Sequence, residues 1–349
     1  MPKPKRKTLP KDFEQLLQAG DLARLKAVFE ECDVNARGGV SKHTALAFSD
    51  CPDALARWLV AQGIDLAATD ARGHIALHDR ARHYRNDVGV LLELGADVHH
   101  DGPSCGTPLH AAADSCSVHN VALLIAHGAR VDARNRDGLT PLAYALLRAD
   151  NARLPALVAV CAQLLAAGAQ RSPQMQTAIK TIGMNFEFHC SGFNPDSVEK
   201  ASAALDRLYG LFDVPPVPRR LLHDGSAPIV PSAAGWQAQH HALWQQLVPS
   251  SGAAATVQGE VIRITGRIGD ELLRNGGVNW DADYRMMSQA LLALFGTGVP
   301  LPATALAEAA AIVAKGKRLD DCDRMAELAV AWVRQNPTPM ALPTPPYRR

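Results

Sequence analysis

The scarcest feature of this chain is charge of one sign. Its 349 residues carry 36 Lys and Arg against 35 Asp and Glu, a formal net charge of +1. No global field therefore draws it to nucleic acid or to anionic lipid. Disulfide-like cysteine spacing is also missing. The seven cysteines, Cys32, Cys51, Cys105, Cys116, Cys161, Cys190 and Cys322, are spread thinly, with no CxxC pair. That pattern fits reduced thiols packed as small hydrophobes in a cytosol, so a cytoplasmic protein is expected. No run of 18 apolar residues occurs, which predicts no membrane-spanning helix. The N-terminus, MPKPKRKTLPKDFEQLL, is basic but lacks an apolar core behind the charges, so it does not read as a secretory signal. Residues 1–9 are expected to be a disordered basic tail.

Catalytic signatures are missing as well. There is no GxxxxGK[ST], no GxGxxG between strand and helix, no GxSxG and no HExxH. Of the 13 histidines, His74, His78 and His83 cluster, as do His110 and His119 with Cys116, but none has a companion at zinc-type spacing. Structural roles are expected for them, with no metal and no cofactor. Asp281 with Asp283, and Asp320 with Asp321, fall at predicted helix starts, where the helix dipole accounts for them.

What is present is a repeat. Thr44-Ala-Leu46, Ile75-Ala-Leu77-His78, Thr107-Pro-Leu109-His110 and Thr140-Pro-Leu142 recur at spacings of 31, 32 and 33. Each unit closes on a second signature: Gly63-Ile-Asp-Leu66, Gly95-Ala-Asp-Val98, Gly128-Ala-Arg-Val131, Gly168-Ala-Gln170. Leucine-rich stretches (LARWLV, VGVLLELG, NVALLIAHG, CAQLLAAG) lie between. Pro suits the first position of a helix, and Gly supplies a left-handed stop. A unit of this size cannot bury its apolar face alone, so neighbours must stack.

This pattern resembles the ankyrin repeat. The resemblance implies a stack of helix pairs with polar hairpins, in which the His of TPLH links neighbouring units by hydrogen bonds. Five units are readable over residues 10–173. The first is a degenerate cap with two helical patterns, FEQLLQAG and LARLKAVFEE, and the fifth is lengthened around Asp150–Pro155. The fold expected is all-α: an ankyrin-repeat solenoid followed by an α-helical C-terminal domain.

After about Pro173 the repeat stops. Residues 174–235 read as one helix, Asp196–Leu211, after the segment NFEFHCSGFNP, and then a connector carrying Pro215, Pro216, Pro218, Pro228 and Pro231. Residues 236–336 read as a helical module and 337–349 as an extended, mobile Pro-rich tail. Within the module, helices are expected over Trp236–Leu247, from Ala253 to Arg274, and from Asn279 as N-cap. Two more follow in ATALAEAAAIVAKGK and DDCDRMAELAVAWVRQ. In the middle helix, Val257, Val261, Ile264, Ile268 and Leu272 form a core stripe. Glu260, Arg263, Arg267, Asp270 and Arg274 form a charged line, expected to be solvated. Gly259, Gly266 and Gly269 predict close approach of a neighbouring element. The stretch LVPSSGAAATVQGEVIRITGRIGDELLRNGGVNWD is similar to a helical module of uncharacterised bacterial proteins, over roughly Trp244–Tyr284. That resemblance implies a bacterial origin, and among bacterial ankyrin proteins it points to immunity proteins that neutralise secreted toxins.

Function is therefore expected to be protein binding, not catalysis, with a protein partner, no nucleic acid and no membrane. Ankyrin stacks bind through hairpin tips and the exposed side of inner helices. Tip candidates are Asp70, Arg72, His74, His99, His100, Asp101, Arg134 and Arg136. Inner-helix candidates are Phe48, Asp79, Arg82, His83, Tyr84, Asp114 and Arg148. Arg82 and Tyr84 lead, because Arg and Tyr are enriched at binding hot spots. Two alternatives stand beside this: an adaptor without a toxin partner, and an enzyme with its site around Glu260, Arg263, Arg267, Asn279 and Trp280.

Overall fold

The computed structural model describes residues 4–83, 87–103, 105–316 and 321–348. The chain divides into two compact units, one of residues 1–185 and 194–217, the other of residues 186–193 and 218–349.

The first unit is built of helix pairs. In chain order its helices are α1 (Phe13–Ala19), α2 (Leu22–Glu31), α3 (Asp53–Ala61), α4 (Ala76–Arg82), α5 (Gly89–Glu93), α6 (Pro108–Asp114), α7 (Val118–Ala126), α8 (Pro141–Leu147) and α9 (Leu154–Ala166). Two longer ones follow, α10 (Pro173–His189), of which residues 186–189 fall in the second unit, and α11 (Pro195–Phe212). In the second repeat the inner helix shrinks to a 3-10 turn, Ala45–Ala47. Inner helices α4, α6 and α8 pack in series, and so do outer helices α3, α5, α7 and α9.

The TPLH motif works as its chemistry dictates. Thr107 caps α6, its N–H donating to His110 Nδ1 at 3.1 Å. With Nδ1 accepting, Nε2 carries the proton and donates to Leu139 O of the next unit at 3.0 Å. His78 makes the equivalent link to Gly106 O at 2.9 Å. At the other end of each unit, Gly95 and Gly128 adopt φ of 89° and 83°, the left-handed stop. The lengthening of the fifth unit forms a 3-10 turn, Asn151–Arg153, and an outer helix of 13 residues where α7 has 9.

Three features depart from the sequence expectation. Residues 4–9 are not a free tail. Arg6–Thr8 pairs in parallel with Cys32–Gly38, which pairs antiparallel with His43–Thr44, and Leu9 is buried. The fold is thus mostly helical, with one small sheet, rather than all-α. The helical stack also runs past Pro173. NFEFH lies inside α10, and α11 packs on α9. Gly183 lets the Tyr209 ring in so closely that a Cβ there would stand 1.9 Å from its hydroxyl.

The second unit holds α12 (Trp236–Leu247), α13 (Val257–Leu273), α14 (Ala282–Phe295), α15 (Ala303–Lys315) and α16 (Cys322–Gln335). α13 packs against α12, α14 and α16. Val257, Val261, Ile264 and Leu272 face the core beside Met287, Phe295 and Trp332, with Ile268 at its edge. α13 begins four residues later than expected, because Thr256 caps it through Gly259 N–H. α14 is capped by Asp281, not Asn279. Asn279 instead donates its N–H to the buried carboxylate of Glu271 at 2.6 Å. The Pro-rich connector is anchored. Arg220 donates from Nε to Gln245 O at 2.8 Å, satisfying an end carbonyl of α12, and lies over the Phe188 ring.

The charged line of α13 is not solvated along its length. Glu260 and Arg263 are fully buried and paired, at 2.8 Å for Nε–Oε2 and 2.6 Å for Nη2–Oε1. Nor is the C-terminal segment mobile. Ile229 donates its N–H to Pro337 O, Gln258 Nε2 donates to Asn336 O and Thr338 O, and Val257 N–H donates to Met340 O. Tyr347 is buried. Among the described residues no helix is long and apolar enough to cross a membrane.

Candidate protein-binding face

Five of the residues nominated from sequence meet at one place. Phe48, Arg72, Asp79, Arg82 and His83 line a hollow of about 330 Å³ on the inner side of the first three repeats, together with Glu14, His43 and Asp50. The spacing of the repeat does this, because equivalent positions of successive units fall side by side. The wall has an apolar base and charges of both signs. Phe48 is that base. It was nominated as an exposed inner-helix residue, yet it is 5% exposed, edge-on to Phe13 at 5.2 Å and to His43 at 4.5 Å. Around it, Arg82 Nε and Asp79 Oδ2 are buried atoms without a hydrogen-bond partner among the described residues.

Other nominated residues fall elsewhere. Asp101 and Arg134 line a second hollow with Arg130 and Asp132 at the hairpins. Asp114 and Arg148 join across the fourth and fifth repeats, Arg148 Nε donating to Asp114 Oδ1 at 2.8 Å, with the guanidinium over the Tyr144 ring. That hydrogen bond raises the Arg148 pKa further. His99 and Arg136 are exposed singly, and His100 sits half-buried beside His78. Tyr84 lies outside the described residues.

Two tip candidates are corrected. Asp70 and His74 are buried, 7% and 2% exposed, because the hairpin turn folds over them. Asp70 Oδ1 accepts the N–H groups of Arg72 and His74, both at 2.8 Å, and so fixes the turn. Burial lowers the pKa of His74, and that of His78 to about 3, keeping both imidazoles neutral at ordinary pH.

Sequence reading missed Arg80, His43 and Tyr144. Arg80 is 3% exposed and donates to Leu46 O (3.0 Å) and Cys51 O (2.8 Å), tying the third repeat to the second. An Arg in a short amphipathic helix gives no sign that its head turns inward. His43 precedes the Thr-x-Leu signature of an irregular unit, and Tyr144 follows one. Position within the unit is the signal that marks both as facing the inner side.

In the second unit the residues of the enzyme alternative are not gathered round one cavity. Glu260 and Arg263 neutralise each other. Trp280 stacks on Tyr284 at 5.4 Å and lines a small apolar cavity of about 30 Å³, whose walls include none of the other four.

The stacked pairs and histidine links define a helical-repeat scaffold. The comparisons make the class specific: residues 109–158 match the model of ankyrin repeats, and the chain carries ankyrin repeats. Among curated proteins it is 43% identical over 91 residues to the Neurogenic locus Notch protein of Drosophila melanogaster, covering 25% of this chain and 3% of that protein. It is 52% identical over 60 residues to the BTB/POZ domain and ankyrin repeat-containing protein NBCL of Lotus japonicus, covering 17% and 12%. It is 38% identical over 112 residues to Neurogenic locus notch homolog protein 1 of Mus musculus, covering 31% and 4%. The chain thus spans a small fraction of each relative's length. Ankyrin repeats imply a role in protein–protein interaction.

Proposed function

We propose that this protein binds a partner protein at the inner hollow of its first three repeats, with Arg82 as the principal anchor. The observation that carries this reading is the convergence there of Phe48, Arg72, Asp79, Arg82 and His83, an apolar base ringed by charges of both signs. Such a wall favours a partner of complementary charge. With a net charge of +1, complementarity must be local.

The finer reading is that the partner is a secreted bacterial toxin and this chain its cytoplasmic immunity protein. What supports it is the resemblance of the stretch around residues 247–281 to a module of bacterial proteins. The plant and animal ankyrin proteins that match the repeats support the broader alternative, an adaptor. A photo-crosslinking amino acid at Gln18 or at His83, on the rim of the hollow, tests the site in the native host. The reading expects one protein captured from both positions and lost in Arg82→Ala. Capture only from positions in residues 236–349, such as Arg274, contradicts it.

A further inference from the structure

Beside the hollow, three metal-ligating side chains converge. Asp70, His74 and Asp79 each bring one donor atom, and these atoms all lie within 4.8 Å of one another. The repeat places them. Asp70 opens the hairpin turn and His74 closes it, while Asp79 lies in the first turn of α4. His43, from the preceding unit, brings Nδ1 to 3.5 Å from Asp79 Oδ2.

A second observation is independent of the clustering. The Asp70 side chain is 1% exposed. Its Oδ1 is fully used in the turn, but its Oδ2 is buried and meets no hydrogen-bond donor among the described residues. His74 Nδ1, at 3.9 Å, is beyond hydrogen-bond reach of it. Asp79 Oδ2 and His43 Nδ1 are buried without a hydrogen-bond partner in the same way. Buried polar atoms are nearly always satisfied, and exceptions that gather at one point ask for a common cause. Two carboxylates held that close also repel each other unless a cation stands between them.

We propose that Asp70, His74 and Asp79 form a binding site for a divalent metal ion of the zinc class. The chemistry of the donors selects the ion. Imidazole and carboxylate together suit zinc and its neighbours, and two carboxylates neutralise a divalent charge. Metal–ligand bonds of about 2.0 Å put tetrahedral donors roughly 3.3 Å apart. Binding draws Asp70 Oδ2 and His74 Nδ1 together from 3.9 Å and turns the half-buried Asp79 side chain toward them. The ion ties the hairpin turn to α4. This site does not rest on the partner-binding reading.

The test uses the full chain without a histidine tag, in metal-free buffer, titrated with zinc chloride in a calorimeter. The site predicts one zinc ion per chain and a melting temperature that rises with zinc. Asp79→Asn, at a partly exposed position, should weaken zinc binding by at least about 10-fold, with the native circular dichroism spectrum retained. X-ray absorption of the wild-type zinc complex serves without any variant, and should show one or two imidazoles among oxygen ligands. Absence of binding at micromolar zinc, undiminished binding in Asp79→Asn, or an ion held by sulfur or by imidazoles alone would each overturn the site.

Discussion

Tyr347 donates its hydroxyl to Glu260 Oε1 at 2.7 Å, across 87 positions of sequence, and so closes the C-terminal segment over a buried ion pair. Burial pushes the Glu260 carboxyl up, but hydrogen bonds from Arg263, the Ala254 N–H and Tyr347 outweigh it and hold the pKa below the usual carboxylate range. Tyr347→Phe keeps the ring and removes one hydrogen bond to a buried charge. It should cost about 1–3 kcal/mol. Glu260→Leu strands Arg263 without its partner and should cost about 3–5 kcal/mol. Thermal denaturation reads both. A Tyr347→Phe protein that melts like wild type would show that the segment does not seal the pair in solution.

The glycines of α13 separate two causes. A Cβ on Gly266 would stand 2.2 Å from the Trp244 ring, whereas one on Gly269 meets nothing within 4 Å. Gly266→Ala should destabilise by about 1–3 kcal/mol through overpacking. Gly269→Ala should stabilise by up to about 1 kcal/mol through helix propensity. Opposite shifts of the urea midpoint are the expected result.

What the sequence discloses, and what it hides, follows from the range of the interactions. The repeat was readable because its signals are local and recur: Thr-Pro at a helix start, Gly at its end, Leu pairs between. The His110 link was predictable because the repeat supplies a donor and an acceptor, the Thr107 N–H before it and the Leu139 carbonyl one unit on. The buried state of Glu260 and Arg263 was not, since at i, i+3 they look like a surface pair. What buries them is Tyr347 in a segment whose prolines read as a free tail. Asp70 and His74 look like hairpin tips in one dimension, and only the fold of the turn shows that they point inward. Arg80 is hidden for the same reason, its acceptors lying about 30 residues back.

Arg80 supplies a direct test of how the second and third repeats adhere. Arg80→Met keeps the buried stem but leaves the Leu46 and Cys51 carbonyls without that donor. A loss of about 2–4 kcal/mol is expected at one to two kcal/mol for each stranded group. A change within about 0.5 kcal/mol would place the guanidinium in solvent.

The histidine links set a pH dependence. Burial is the largest cause of the shift at His78, which is lowered from 6.5 to about 3. Protonation therefore favours the unfolded chain. The contribution is fully present above pH 6.5 and is lost progressively as pH falls from 6.5 toward 3. Urea unfolding free energies should decline between pH 6.5 and 5, before most carboxylates titrate. His78→Gln, less stable at pH 7, should show a shallower decline over that interval. An equal slope in both proteins would mean that His78 is not held neutral.

The measurement closest to the central claim is calorimetry of the partner, once captured, against wild type and against Arg82→Ala, alone and combined with Tyr84→Ala. If the inner hollow is the interface and Arg82 an anchor, the double substitution weakens binding by about 2 kcal/mol or more, roughly 30-fold in Kd, with melting temperature nearly unchanged. Wild-type affinity in Arg82→Ala would contradict the account and move the interface away from the inner hollow.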